Sequence, residues 1–235
     1  MYKLPIQSIL TDAFLIPWKD KSLFLHTLAL PVLALVSVWA IWAIVKPENQ
    51  LLNFIFVLFY GLAFCYFAIT CHRLILIKNN TLHSYNTIRI IHFLKWLIIV
   101  YGISLAIEII ILTVIMNTIT DFDFSNTTYI RDFLYLPLMY LVGRFSLIFP
   151  ATALDLKGSL KWSWQATKNN GINILCIVGL FPWFMYILVS FVQRDEPIII
   201  EQSLIALLTY FVSAIGIFAL SLTYRALQLN AQKQL

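Results

Sequence analysis

Two ionisable residues stand inside long apolar runs: Glu108 in YGISLAIEIIILTVI and Arg144 in YLVGRFSLIFP. A charge at the centre of a bilayer costs roughly 3 kcal/mol or more, so it is retained where it pairs, faces water or serves a site. Counting along a helix at about 1.5 Å per residue puts Glu108 roughly 12 Å and Arg144 roughly 17 Å from the same membrane boundary. Antiparallel neighbours would then join them as an intramembrane polar pair. Such a pair either lines a polar, proton-coupled pathway or locks two helices together. No second acidic or polar cluster accompanies it, which favours the lock.

The second concentration of chemistry is RFSLIFPATALDLKGSLKWSWQATKNN, residues 144–170, in which an apolar run meets Pro150 and gives way to lysines and tryptophans. Lys157, Lys161 and Lys168 with Trp162 and Trp164 have the composition of a membrane-water interface. Anionic head groups attract cations there at about 1 kcal/mol each, and tryptophan prefers that depth. His72 and Arg73, closing an apolar run as CHRLIL, extend the expected head-group contacts. The implied partners are membrane lipids with anionic head groups.

Other site chemistries find no support. The four histidines, His26, His72, His83 and His92, share no metal-binding helical spacing, and Cys65, Cys71 and Cys176 fall in apolar runs as small buried hydrophobes. Nucleophile elbow, phosphate loop and His-Glu-x-x-His patterns are absent. The expectation is therefore no metal, no cofactor and no catalytic constellation. The basic residues are scattered through short loops, which speaks against nucleic acid as a partner.

The elements that position these residues follow from composition. With 61% hydrophobic and 11% charged residues, the chain has too little polar material to cover a water-soluble globule of 235 residues. About 20 apolar residues span the hydrocarbon core as a helix. Six such runs occur, at 22–45, 52–72, 94–116, 133–151, 172–192 and 203–224. Only helices satisfy their own backbone in lipid, so the fold class is an all-α polytopic membrane helical bundle in a single domain, 1–235. Two further segments are expected as amphipathic helices lying on the membrane surface. One covers about 5–18, where Ile6, Ile9, Leu10, Ala13 and Phe14 recur at helical spacing. The other covers about 158–169, with Ser159 as N-cap. Pro150 is expected to end the fourth span. One glycine in each of the last five spans, Gly61, Gly102, Gly143, Gly179 and Gly216, is expected to let helices approach closely.

Six spans divide the sixteen Lys and Arg unevenly. Twelve fall on one side: Lys3, Lys19, Lys21, Arg73, Lys78, Arg89, Lys95, Lys157, Lys161, Lys168, Arg225 and Lys233. Only Lys46, Arg131 and Arg194 fall on the other, together with Glu48, Asp121, Asp123, Asp132, Asp195, Glu196 and Glu201. The positive-inside rule then makes both termini and both surface helices cytoplasmic. The interfacial segments, each followed by a polar break and a proline-bearing span, also suggest a degenerate internal repeat.

Three motifs, CHRLIL at 71–76, GRFSLIFPATALD at 143–155 and SLKWSWQATKNNGINIL at 159–175, resemble a group of bacterial inner-membrane proteins. That group is similar to the YciC-type proteins and to the membrane domain attached to some glycerophosphoryl diester phosphodiesterases. Tyr224 and Arg225 fit its usual ending. The resemblance implies a six-span protein of the bacterial cytoplasmic membrane; phosphodiesterase activity is not implied, because this chain lacks the catalytic domain. Two functions are weighed. The first is a non-enzymatic, lipid-interacting or envelope-assembly component, and the second a small-solute or proton-coupled transporter or channel using Glu108 and Arg144.

Overall fold

The computed structural model describes residues 3–46, 49–77, 86–118, 128–191 and 199–232, which are helical and contain no strand. The expectations on Glu48, Lys78, His83, Asp121, Asp123, Arg194, Asp195, Glu196 and Lys233 lie outside these residues, as do those on the side chains of Arg131, Asp132 and Glu201. Six helical stretches are long and apolar enough to cross a membrane: Lys21–Val45, Gln50–Leu76, Thr87–Ile111, Tyr135–Ala153, Gly171–Ser190 and Ser203–Asn230. Their outward faces carry Ile44, Tyr101 and Ile172 at 74%, 69% and 74% exposure. Such a surface is tolerated where lipid is the solvent.

Helix α1 (Ile6–Lys19) precedes the first span and buries Ile9, Ala13 and Pro17, one residue per turn, while Phe14 and Trp18 stay exposed. It packs on α10 (Ile199–Gln232). The spans α2 (Lys21–Val45) and α3 (Gln50–Leu76) form a hairpin whose inner faces meet α10 around Leu35, Phe67 and Phe218, all fully buried. Truncating Phe67 or Phe218 to alanine removes packing worth on the order of 3–5 kcal/mol. Helix α4 (Thr87–Thr118) lies on the other side of α3 and begins seven residues before its apolar run, carrying Arg89, His92 and Lys95 within its first turns. Hydropathy does not mark this start, because its charged and polar side chains lower the local average while the backbone remains helical.

The fourth span is built from α5 (Thr128–Phe145) and α6 (Ile148–Ala153). The expectation that Pro150 ends this span is corrected, since α6 runs through Pro150 and stops at Ala153. The break falls at Ser146–Leu147. Pro150 has no N–H to offer the carbonyl of Ser146 and its ring crowds that carbonyl, so the disruption appears one turn upstream. Ser146 reuses the gap, its hydroxyl donating to the Gly143 carbonyl at 2.6 Å.

Helix α7 (Leu160–Ala166) is capped by the Ser159 hydroxyl, which accepts from the Trp162 N–H at 3.1 Å. The fifth span starts as α8 (Gly171–Ile174), widens into a π-helical segment at Leu175–Leu180 and continues as α9 (Phe181–Ser190) with Pro182 in its first turn. Here again a proline is preceded by a departure from α-geometry. Gly143 and Gly179 make the α5 contact possible: a Cβ at Gly143 would lie 3.2 Å from Ile174 Cγ2, and one at Gly179 would lie 3.1 Å from Met139 Cβ. Gly61 and Gly102 have nothing within 4 Å, so the expected close approach is not made there.

Candidate functional site

Several hydrogen bonds tie distant segments together at one end of the bundle. Leu4 N–H donates to Asn170 Oδ1 at 2.9 Å, and the Asn173 amide donates to the Leu4 carbonyl at 3.1 Å. Trp162 meets Tyr224 edge-on at 5.9 Å between ring centroids. The N-terminal segment, the residues of α7 and just beyond it, and the later part of α10 therefore share that end.

Arg144 and Glu108 have separate partners, and the expected pair is not formed. Arg144 is 5% exposed and lies at the end of α5, where α7 folds back over it. Its Nε donates to Thr167 Oγ1 at 3.0 Å, one terminal nitrogen to the Tyr140 hydroxyl at 3.1 Å, and the other to the Trp164 carbonyl at 2.6 Å. The guanidinium also stacks 3.6 Å from the centre of the Trp164 ring. In return the Ser163 hydroxyl donates to the Arg144 carbonyl at 2.6 Å. The planar fork of arginine suits such a set of in-plane acceptors with an aromatic face. Glu108 accepts instead from the Tyr135 hydroxyl at 2.8 Å, an α4–α5 contact. Neither residue lines any of the three cavities considered below.

His72 and Arg73 are also placed differently from expectation. They are 1% and 7% exposed and face the protein, so they do not present their side chains to head groups. The Ser221 hydroxyl donates to the Ile217 carbonyl, which leaves its oxygen to accept from His72 Nδ1–H at 2.8 Å and joins α3 to α10. Arg73 donates to the Ala153 carbonyl at 3.1 Å. A cation at the carbonyl end of α6 is favoured by the helix dipole. Of the residues expected at the interface, Lys157, Lys161 and Lys168 are exposed, Trp164 is 37% exposed, and Trp162 is half-buried against Tyr224.

Sequence reasoning missed the ion pair beside them. Asp155 follows α6 with φ of 59°. Its N–H reaches the Thr152 carbonyl at 3.0 Å, and the Leu156 N–H reaches the Ala151 carbonyl at 3.0 Å, which is the Schellman closure of a helix C-terminus. Glycine or asparagine usually takes that left-handed position. Aspartate there projects its carboxylate at Arg89, which donates through Nε at 2.8 Å and through a terminal nitrogen to the second oxygen. Arg89 is buried, while the Asp155 side chain is half-exposed. The hydrogen bond from Arg89 outweighs partial burial, and the charges of Arg89 and Arg73 add to it, holding the Asp155 carboxyl below its ordinary range. It is therefore ionised at neutral pH. A lone acid within an otherwise basic connection was the available signal, but its partner lies 66 residues away.

This pair forms one wall of a cavity of about 550 Å³ between α4 and the α6–α7 connection, lined also by His92, Lys95, Trp96 and Lys157. His92, Lys95 and Trp96 follow Arg89 on α4 at spacings that share a helix face, and the Lys95 ammonium lies 5.7 Å from the Trp96 ring centre. The wall carries three side-chain cations and one carboxylate. A second cavity, of about 410 Å³, is mostly apolar and lies among Phe64, Val142, Pro182, Tyr186 and Val212 at mid-span. A third, of about 300 Å³, separates the α1–α2 turn from α10 near Asp12, Lys19 and Arg225. Among the described residues, no group of three His, Cys, Asp or Glu side chains is placed to hold a metal ion.

Comparison of the chain with protein-family models, curated proteins and solved structures returns no match in any of the three.

Proposed function

We propose that this chain is a non-enzymatic, lipid-interacting protein of the bacterial cytoplasmic membrane, engaging anionic head groups through its basic end. The observation that carries the reading is the stretch from the α6–α7 connection through α7 to the residues just beyond it. Lys157, Lys161 and Lys168 are all exposed there, with Trp164 at the surface, while the neighbouring Arg144 is consumed in holding α7 down. A buried arginine fixes the platform and the lysines remain available. The assignment to a bacterial inner membrane rests on the resemblance of the CHRLIL, GRFSLIFPATALD and SLKWSWQATKNNGINIL motifs, and the cytoplasmic side on the lysine and arginine count. A transporter using Glu108 and Arg144 is the weaker reading, since the two side chains are held by different partners.

The test is lipid retention. Changing Lys157, Lys161 and Lys168 together to glutamine removes about 1 kcal/mol of head-group attraction per site. Mass spectrometry of lipids co-purifying with the triple variant is expected to show several-fold less anionic lipid at unchanged zwitterionic lipid. An unchanged anionic fraction would remove the lipid-interacting reading.

A further inference from the structure

We propose that the cavity between α4 and the α6–α7 connection binds a phosphate ester, held by Lys95, Lys157 and Arg89, with Asp155 occupying Arg89 until the ligand arrives. This deepens the lipid-interacting reading and rests on it.

Three features set this cavity apart from an ordinary basic surface. First, its cations converge from two elements, Arg89 and Lys95 from α4 and Lys157 from the connection beyond α6. Second, Arg89 is buried at the cavity wall and its fork is already set by a carboxylate, through Nε and a terminal nitrogen. Carboxylate and phosphate offer the same two-oxygen edge to a guanidinium, so Asp155 occupies the geometry that a phosphate would take. Third, that carboxylate is held by a residue in the left-handed region, where glycine or asparagine would complete the turn equally well. The conformation is therefore one the turn does not need aspartate for, and the side chain's role lies with Arg89. Being half-exposed, it can swing toward water when a dianionic or monoanionic phosphate replaces it.

The volume of about 550 Å³ falls in the usual range of small-ligand sites, about 300–1,000 Å³. Trp96 and Ile88 flank the cations, and Ile88 and Ile91 are exposed at 63% and 58%. An acyl chain attached to the phosphate would therefore leave along the lipid-facing side of α4. A phosphate ester has two sources, the head group of a membrane lipid and a soluble ester, and both present the same group to Arg89.

The experiment uses the purified full-length chain in detergent micelles. Binding of phosphatidylglycerol is measured by native mass spectrometry, with diacylglycerol as the phosphate-free control. Displacement of bound phosphatidylglycerol is then measured with glycerol 3-phosphate and with inorganic phosphate. The expected results are binding of phosphatidylglycerol over diacylglycerol, weakening of roughly fivefold in Lys95→Gln, and tightening of roughly tenfold in Asp155→Asn, which deletes a like charge beside the phosphate. Asp155→Gly, which suits the turn and also lacks the carboxylate, repeats that gain independently of any effect of asparagine on folding. Displacement by glycerol 3-phosphate assigns the site to soluble esters; its failure assigns it to lipid head groups. If Lys95→Gln and both Asp155 variants bind phosphatidylglycerol as the wild type does, the site is wrong. Should Lys161→Gln/Lys168→Gln weaken lipid binding in that same series, the lipid-interacting reading survives without this cavity. Equal binding of phosphatidylglycerol and diacylglycerol overturns both.

Discussion

Arg144 shows how a charged residue in an apolar run is held by neighbouring helices. Three of its nitrogens are committed to Thr167, Tyr140 and the Trp164 carbonyl, and its plane lies on the Trp164 ring. Removing it leaves two hydroxyls and a carbonyl to find new partners in a place where water is scarce, at about 1–3 kcal/mol for each unsatisfied group. Arg144→Gln should therefore destabilise the protein by on the order of 3 kcal/mol, read as a lowered thermal aggregation midpoint in detergent. Arg144→Lys should recover only part of that loss, since an ammonium lacks the planar fork. Glu108→Gln keeps an acceptor for Tyr135 and is expected to change little. The combined Arg144→Gln/Glu108→Gln variant should be additive, because the side chains have different partners. A coupling above about 1 kcal/mol would mean that the two interact after all. The sequence shows that Arg144 lies in an oily run; it does not show which helix returns over it, because Thr167 is brought near by the Ser146–Leu147 break and the turn after α6.

At the scale of elements, two departures from regular α-helix decide the packing of the fourth and fifth spans. Both precede a proline: the break at Ser146–Leu147 before Pro150, and the π-helical Leu175–Leu180 before Pro182. Proline was readable in the sequence as a disturbance, but its position one turn upstream depends on which carbonyl loses its donor. Glycine was readable as a candidate for close approach, and the structure separates positions that composition cannot. Gly179 faces Met139 Cβ, whereas Gly102 faces open space. Gly179→Leu should overpack the α5 contact and cost roughly 1–3 kcal/mol. Gly102→Leu should be neutral or slightly stabilising, because leucine is the better helix former. Thermal midpoints of the two variants, measured side by side in detergent, check this; equal losses would deny that the α5 seam is the tighter one.

For the whole molecule, six helices long and apolar enough to cross a membrane were legible because hydrophobic runs of this length have few alternatives in lipid. What hydropathy left out were the cationic first turns of α4, which supply Arg89, His92 and Lys95 to the charged cavity of about 550 Å³. Orientation decides what that cavity meets. The basic end holds the N-terminal segment, the start of α4 and the α6–α7 connection, joined by the Leu4–Asn170 and Arg89–Asp155 contacts. Lys46 terminates α2 at the opposite end, in a left-handed cap. If the lysine and arginine count sets the orientation, the phosphate site faces the cytoplasmic leaflet, where anionic lipids and soluble phosphate esters are both at hand. Single cysteines at the exposed positions Lys161 and Lys46, introduced with Cys65, Cys71 and Cys176 changed to alanine, test this with a membrane-impermeant maleimide. Lys46→Cys should label in intact cells, and Lys161→Cys only after the membrane is permeabilised. The reverse pattern would place the lysine platform and the Arg89 cavity outside, leaving the outer leaflet as the source of any phosphate they bind. Labelling of both in intact cells would mean an even number of crossings between them, which the three spans between residues 46 and 161 do not allow.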